Sequence, residues 1–129
     1  MNRGTAWWEL NSPPNMQSIT SAEEFSKCME SRLAAGEAVV VDFFAPWCRG
    51  CRSLYPKLAQ IASRNPSVHF VKFNVEPDAL RELSESMGVD RLPYFHFYKG
   101  REGLVSHFTA NLNPAQLQKL RTEITNLQK

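Results

Sequence analysis

The sequence lacks the features that mark several large classes of protein. It has no apolar run close to the roughly 20 residues that a membrane-spanning helix needs, so we expect no membrane span. A net charge of +2 is too small to indicate binding to nucleic acid or to an anionic membrane surface. Only 3 residues are cysteine, and an odd, low number does not fit a secreted disulfide framework. The low cysteine count fits a reducing compartment. No signal-peptide pattern opens the chain, and the alternative of an organelle transit peptide stays open because it would be missing from a mature chain.

What remains is the composition of an ordinary globular domain. The chain has 129 residues, 43% of them hydrophobic and 22% charged, which is enough to bury a core without disulfide staples. Residues 1–15 contain two tryptophans and two prolines and are predicted to be an irregular N-terminal lead, followed by one domain over 16–129. Exposure of both Trp7 and Trp8 would leave a large apolar area in water. We therefore expect at least one of them to pack on the domain rather than to contact a partner.

The apolar periodicity predicts an α/β fold. Alternating or continuous apolar segments predict strands at 16–19, 39–45, 68–75, 94–98 and 104–108, the last two forming a hairpin across a turn at 99–103. Helical spacing predicts helices that start near 21, 50, 77 and 113. The segment Ser-Ala-Glu-Glu at 21–24 has the form of a capping box, with Ser21 or Thr20 at the cap. This order indicates one mixed sheet with helices on both faces.

The most informative motif is Trp-Cys-Arg-Gly-Cys at 47–51, between a predicted buried strand and a predicted helix. A thiol in the first turn of a helix faces unpaired backbone N–H groups and the positive end of the helix dipole, and both favour the reactive thiolate. Cys51, one turn after Cys48, could then close on it. The motif predicts dithiol–disulfide exchange. The alternative is half of a zinc site. We do not favour it, because the chain has only one further cysteine and no histidines at the spacing of zinc ligands.

Several motifs in one order resemble the thioredoxin family over the chain after residue 16. They are Val-Asp-Phe-Phe-Ala-Pro-Trp-Cys-x-x-Cys at 41–51, Phe-Val-Lys-Phe-Asn-Val-Glu at 70–76, Gly-Val-x-x-Leu-Pro at 88–93 and Phe-Tyr-Lys-Gly at 97–100. The lead Trp-Trp-Glu at 7–9 and Asn-Met-x-x-Ile-Thr-Ser-Ala at 15–22 are similar to the atypical chloroplast thioredoxins of plants and algae, the ACHT type. The resemblance implies a thioredoxin fold with a central mixed sheet of five strands.

The resemblance also implies catalytic roles. Cys48 matches the attacking cysteine, Cys51 the more buried resolving cysteine, and Asp42 the buried acid that accepts the proton of the resolving thiol. Burial in an apolar strand should raise the pKa of Asp42 and make this transfer feasible near neutral pH; the alternative is a water-exposed acid. Lys72 matches a lysine that lies near this acid, or else it points to solvent.

A second set of residues matches the family's recognition surface. Pro93 matches a cis-proline opposite the cysteines, although a trans bond is the general expectation. The cis bond would present the Leu92 backbone to an extended substrate. Pro46, Trp47 and Ala110 would add apolar surface, with Trp47 as a plain core residue as the alternative. Tyr94 and Ala110 depart from the usual threonine and glycine, which affects partner specificity.

The dipeptide between the cysteines is the other departure, because Arg49-Gly50 replaces the usual Gly-Pro. Loss of the proline loosens the turn, and the arginine places a positive charge beside the thiolate. Both changes favour the dithiol, so we expect a potential less reducing than the roughly −270 mV of thioredoxin. The alternative is a solvated Arg49 without redox effect.

These expectations define the competing functions. The first is a thiol–disulfide oxidoreductase without bound cofactor, in the chloroplast stroma or otherwise the cytoplasm, acting on disulfide-containing proteins as a monomer. For the ACHT-like subgroup the resemblance implies electron transfer from target enzymes to a 2-Cys peroxiredoxin. The second is a redox-sensing interaction module, and a disulfide isomerase of an oxidising compartment is disfavoured. Cys28 is expected to be a packed small hydrophobe or a regulatory thiol, and the three histidines ordinary surface or core residues.

Overall fold

The computed structural model describes residues 6–129. Its five strands are β1 (Met16–Ile19), β2 (Ala38–Phe44), β3 (Val68–Asn74), β4 (Tyr94–Lys99) and β5 (Leu104–Phe108). Its four α-helices are α1 (Ala22–Ala34), α2 (Arg49–Ser63), α3 (Asp78–Ser86) and α4 (Pro114–Asn126). Single turns of 3₁₀ helix occupy Trp7–Glu9 and Gly100–Glu102. Within this part of the chain, no helix is both long enough and apolar enough to cross a bilayer.

The strands form one mixed sheet in the order β1-β3-β2-β4-β5. β3 pairs in parallel with both β1 and β2, whereas β4 runs antiparallel to β2 and to β5. The predicted α/β class, number of strands and order of elements are confirmed, with boundaries displaced by a residue or two. The segment 99–103, predicted as a turn, contains the second 3₁₀ turn, and Gly100 and Gly103 both adopt positive φ in it.

The helices cover both faces because β2 and β3 are apolar on both sides. On one face, Val40 and Phe70 pack with the apolar sides of α2 and α4, represented by Leu58 and Leu120. On the other face, a second cluster joins the sheet to α1 and α3 through Val41, Val71, Phe73, Phe25 and Leu80. β2 is the middle one of the five strands, so the loop that follows it starts at the end of the central strand.

Both N-terminal tryptophans pack on the domain, which confirms that prediction. The rings of Trp7 and Trp8 lie 5.5 and 5.4 Å from the ring of Phe44, centroid to centroid. The Trp7 indole N–H also donates a hydrogen bond of 3.1 Å to the Pro46 carbonyl oxygen. The predicted irregular lead therefore includes an ordered turn that contacts the loop after β2; residues 1–5 of that lead lie outside the described residues.

The start of α1 shows how the predicted capping box is used. Ser21 is the N-cap, and its hydroxyl accepts a hydrogen bond of 3.0 Å from the Glu24 N–H. The Glu24 carboxylate accepts from the Thr20 N–H at 2.7 Å, one residue before the cap, and from the Thr20 hydroxyl. Together the two residues satisfy backbone donors on either side of the cap, so the helix starts where the sequence indicates.

Candidate active site

Cys48 and Cys51 lie at the N-terminus of α2, as the motif predicts. Cys48 is the N-cap residue, and its Sγ accepts a hydrogen bond of 3.2 Å from the Cys51 backbone N–H. The two sulfur atoms are joined as a disulfide between Cα atoms 5.3 Å apart. Both cysteines are largely buried, at 8% and 5% exposure. The first turn of the helix thus directs a backbone donor and its dipole at the first sulfur, an arrangement that stabilises a thiolate there once the bond is reduced.

The residues around the cysteines divide into exposed and buried ones. Trp47 is 69% exposed, so the alternative that it is a plain core residue is wrong. Arg49 and Gly50 are exposed as well, and Arg49 forms no ion pair within residues 6–129. An exposed indole and an uncompensated guanidinium therefore flank the disulfide on the outer surface of the protein.

The loop before β4 lies against the cysteine turn. The Leu92-Pro93 peptide bond is cis, as predicted. Pro93 Cδ lies 3.7 Å from the position that a side chain at Gly50 would occupy, so the two segments are in van der Waals reach. The Pro93 carbonyl oxygen accepts a hydrogen bond of 2.7 Å from the Thr109 hydroxyl. Ala110 is only 2% exposed and packs in the core, so its methyl group is not part of the exposed surface.

A shallow recess runs from the cysteine turn towards the end of α3. Its floor is apolar, with Val75, Val89 and Leu92, and Trp47 and Cys48 stand at one end. Its rim is charged on the side of α3 and the following loop, where ion pairs of 2.7 and 3.3 Å join Arg81 to Asp78 and Arg91 to Asp90. The structure thus brings Trp47, Cys48 and Leu92 together in one surface, as predicted.

Asp42 lies in the middle of β2, beneath α2. Its register partners are Lys72 on β3 and Phe95 on β4. Since it is 8% exposed, burial raises its pKa from 3.8 to about 7, and the positive charge of Lys72 opposes part of that rise. Because Asp42 shares the sheet face of Val40, its carboxyl group points to the side that α2 covers. The structure therefore places a carboxyl group that titrates near neutral pH under the helix that carries both cysteines.

Lys72 lies beside Asp42, as the resemblance implies, but it does not form an ion pair with that residue. The side chain is 1% exposed, so the solvent-facing alternative is wrong. Its ion pair is not with Asp42 but with Glu9, at 3.1 Å. The ammonium group also donates to the Trp8 carbonyl oxygen at 2.7 Å and to the Ser12 hydroxyl at 3.0 Å. The pairing of β2 with β3 places Lys72 beside Asp42, whereas the acceptors of its ammonium group come from a segment 60 to 64 residues earlier in the chain.

Three residues of this neighbourhood were missed at the level of sequence. Glu9 and Ser12 belong to a segment without periodicity, and no motif marks them as partners of a buried lysine. Tyr55 is on the inner stripe of α2 and lies under the same ammonium group, which is 5.6 Å from its ring centroid. Burial raises the Tyr55 pKa, the nearby Ser12 hydroxyl opposes part of that rise, and the negative charges of Glu9 and Asp42 add to it. The spacing of α2 could have identified Tyr55 as an inward residue, but not its charged neighbours.

The remaining cysteine and the histidines lie away from this site. Cys28 is half-buried on α1, where its Sγ lies 3.7 Å from the Gln17 amide oxygen. His69 and His96 are buried, which lowers the pKa of each to about 4, and His107 is exposed and within 2.6 Å of the Tyr94 hydroxyl. Among residues 6–129, no three His, Cys, Asp or Glu side chains are grouped as metal ligands would be.

Comparison with known proteins gives consistent matches. The family model "Thioredoxin" matches residues 17–123. "Thioredoxin-like 1-3, chloroplastic" of Arabidopsis thaliana is 41% identical over 109 residues, which cover 84% of this chain and 38% of that protein. "Thioredoxin-like 2, chloroplastic" of Oryza sativa subsp. japonica is 39% identical over 118 residues, covering 92% of this chain and 52% of that protein. The chain thus spans about two fifths to one half of these relatives' length.

Solved structures agree with the fold. The structure of Fasciola hepatica thioredoxin superimposes with a TM-score of 0.69 and is 32% identical, covering 83% of this chain and 97% of that one. A mutant of poplar thioredoxin h superimposes with a TM-score of 0.73 at 26% identity, covering 90% of this chain and 87% of that one. The similarity therefore extends over the sheet, the helices and the cysteine turn together.

Proposed function

The chain belongs to the thioredoxin family, a family of thiol–disulfide oxidoreductases, and on that premise we propose that Cys48 and Cys51 exchange a dithiol for a disulfide with partner proteins. The observation that carries the proposal is the Cys48–Cys51 disulfide at the first turn of α2, beside the exposed Trp47. The resemblance to chloroplast thioredoxin-like proteins, first inferred from motifs, is confirmed by the matches at about 40% identity.

The proposed reaction starts when the Cys48 thiolate attacks one sulfur of a partner disulfide. The partner S–S bond breaks, a Cys48–partner disulfide forms and the first partner thiolate leaves. Cys51 then gives its proton to the Asp42 carboxylate and attacks the Cys48 sulfur. The second partner thiolate leaves, the partner has gained two electrons, and the chain holds the Cys48–Cys51 disulfide. The same steps in reverse oxidise a partner dithiol.

The partner should lie across the exposed surface next to the cysteine turn. Trp47 and the recess that leads to Leu92 offer apolar contact, and the backbone beside Pro93 offers an extended peptide hydrogen bonds of the kind made by an added strand. Ala110 would contribute through its backbone, since its side chain is packed inward. Arg49 and Gly50 are exposed between the two cysteines and would contact the partner.

Insulin reduction with dithiothreitol tests the activity. We expect turnover by the wild-type chain, background rate with Cys48→Ser, and wild-type rate with Cys28→Ser as the matched cysteine control. With Cys51→Ser, the mixed disulfide should accumulate and be visible as a covalent adduct by mass spectrometry. Background turnover by the wild-type chain would favour the redox-sensing interaction module instead.

We further propose a midpoint potential less negative than the roughly −270 mV of thioredoxin. An uncompensated Arg49 beside the Cys48 thiolate stabilises the reduced form, and Gly50 does not restrict the turn in the way that proline does. A redox titration of the wild-type chain against the Arg49→Gly/Gly50→Pro variant should show the more negative value for the variant. A wild-type midpoint at or below that of thioredoxin would contradict this proposal.

The less negative potential supports a finer assignment of direction. We infer that the disulfide form oxidises dithiols of target enzymes and that the resulting dithiol is reoxidised by a 2-Cys peroxiredoxin, two electrons passing at each exchange. The similarity to chloroplastic thioredoxin-like proteins supports a chloroplast location, for which we propose the stroma. Stopped-flow mixing of the reduced chain with an oxidised 2-Cys peroxiredoxin tests the direction of electron transfer. Organelle fractionation with an antibody tests the location. Light scattering tests the oligomeric state, for which we expect the monomer mass of 14.7 kDa.

A further inference from the structure

The ammonium group of Lys72 has no hydrogen left for a further partner. An ammonium carries three N–H donors, and here they go to the Trp8 carbonyl oxygen, the Glu9 carboxylate and the Ser12 hydroxyl, at 2.7, 3.1 and 3.0 Å. All three acceptors come from residues 7–12, which we call the N-terminal segment. The lysine therefore donates its three hydrogen bonds to that segment and none to Asp42, its register partner in the sheet.

The N-terminal segment is itself fixed to the domain at several points. The second carboxylate oxygen of Glu9 accepts a hydrogen bond of 2.5 Å from the Ser18 hydroxyl on β1, while its first oxygen holds Lys72. The Trp7 indole N–H bonds to the Pro46 carbonyl oxygen, two residues before Cys48. The segment therefore bridges the edge strand β1, the buried lysine of β3 and the loop that carries the attacking cysteine.

We propose that Glu9 is a positioning residue: with the rest of the N-terminal segment it holds the Lys72 ammonium away from Asp42, and so leaves the Asp42 carboxyl free to exchange a proton with the second cysteine of the motif. This inference rests on the proposed function for the role of Asp42. It adds to that function a residue outside the part of the chain that the thioredoxin family model matches, residues 17–123.

The electrostatic consequence follows from the groups around Asp42. Lys72 faces it from β3 and Tyr55 from α2, and its register partner on β4 is the apolar Phe95. Glu9 of the N-terminal segment binds the ammonium group of the same Lys72. A positive charge near a carboxylate favours the ionised form. Neutralising Glu9 removes the negative charge that binds the Lys72 ammonium. The ammonium is then released towards Asp42, which is the remaining carboxylate near it. Both effects act in the same direction and lower the pKa of Asp42.

The test is the titration of Asp42 followed by ¹³C NMR of its carboxyl carbon in the oxidised chain. We expect Glu9→Gln to lower the midpoint by about one pH unit or more, the size of effect that an opposite charge at close range produces. The matched control is Glu82→Gln, which removes the same charge from an exposed position on α3. An unchanged or raised midpoint in a Glu9→Gln chain with wild-type circular dichroism would overturn the proposal.

A variant of the lysine separates positioning from a direct effect of Glu9. Lys72→Gln should raise the Asp42 midpoint, and adding Glu9→Gln to it should shift the midpoint by less than half of the shift seen in the wild-type background. An equal shift in both backgrounds would show that Glu9 does not act through Lys72. Because these measurements follow Asp42 itself, they give the same answer whether or not the chain reduces insulin. If Glu9→Gln fails to fold, Ser12→Ala tests the same direction by removing one of the lysine's acceptors.

Discussion

Replacement of Asp42 by asparagine should change how stability depends on pH. In the folded protein the pKa of Asp42 is raised to about 7, whereas in the unfolded chain it stays near 3.8. Between these values the folded chain keeps a proton that the unfolded chain has lost, so rising pH favours unfolding. Below the window both states are protonated, and above it both are ionised. Asp42→Asn removes this titration and keeps a neutral side chain of similar shape.

The magnitude follows from the displacement of the pKa. One pH unit corresponds to 1.36 kcal/mol, so the displacement from 3.8 to about 7 amounts to ~4 kcal/mol. Urea unfolding of both chains in the oxidised form, at pH values from 4 to 9, gives the difference in unfolding free energy. We expect the advantage of Asp42→Asn to grow by about 1.4 kcal/mol per pH unit between about pH 4 and 7 and then to stay constant.

Using the difference between the two chains cancels every other titrating group that they share. Free-thiol quantification before each experiment verifies that the Cys48–Cys51 disulfide is intact in both. A difference that does not vary with pH across the window would mean that Asp42 titrates as it does in the unfolded chain. That result would refute the reasoning from burial and remove the support for Asp42 as a proton acceptor near neutral pH.

Three further outcomes can be measured by chemical denaturation. Leu58→Ala should destabilise the protein by ~2–5 kcal/mol, because Leu58 is 1% exposed and truncation leaves a cavity between α2 and the sheet; a loss below 1 kcal/mol would contradict that packing. Tyr55→Phe should change stability by less than about 1 kcal/mol, because the buried Tyr55 hydroxyl lies near Ser12 but lacks the geometry of a hydrogen bond; a larger loss would show that the two hydroxyls are bonded. In the Asp42→Asn background, the free energy of unfolding should fall as pH falls from 6.5 towards 4, because the unfolded chain protonates His69 and His96 at a higher pH than the folded chain does. Replacing both histidines by glutamine should remove most of that fall.

The sequence was sufficient for the elements and for most of the candidate site, because both depend on local patterns. Continuous apolar residues over 39–45 predict a doubly buried strand, and the two cysteines at the start of the next helix can only meet across one helical turn. The assignment of Asp42 as a buried acid needed the family resemblance, because an acid in an apolar run is otherwise expected to face water. The cis form of the Leu92-Pro93 bond needed the family resemblance, since proline alone favours trans.

What the sequence did not predict are contacts between segments distant in the chain. Nothing in the local pattern indicates that Lys72 meets Glu9, because a salt bridge over more than 60 residues depends on the complete fold. The inward position of Ala110 likewise depends on how its loop packs against the core. In physical terms, periodicity specifies which face of an element is buried but not which polar atoms meet there.

The attachment of the N-terminal segment has a consequence for protein engineering. A chimaera that joins residues 17–123 of this protein to another leader would lack the three acceptors that bind Lys72. Such a hybrid would keep both cysteines, but the protonation of the charged groups beneath them would differ. A fragment of this protein that is transferred to another chain should therefore begin before Trp7.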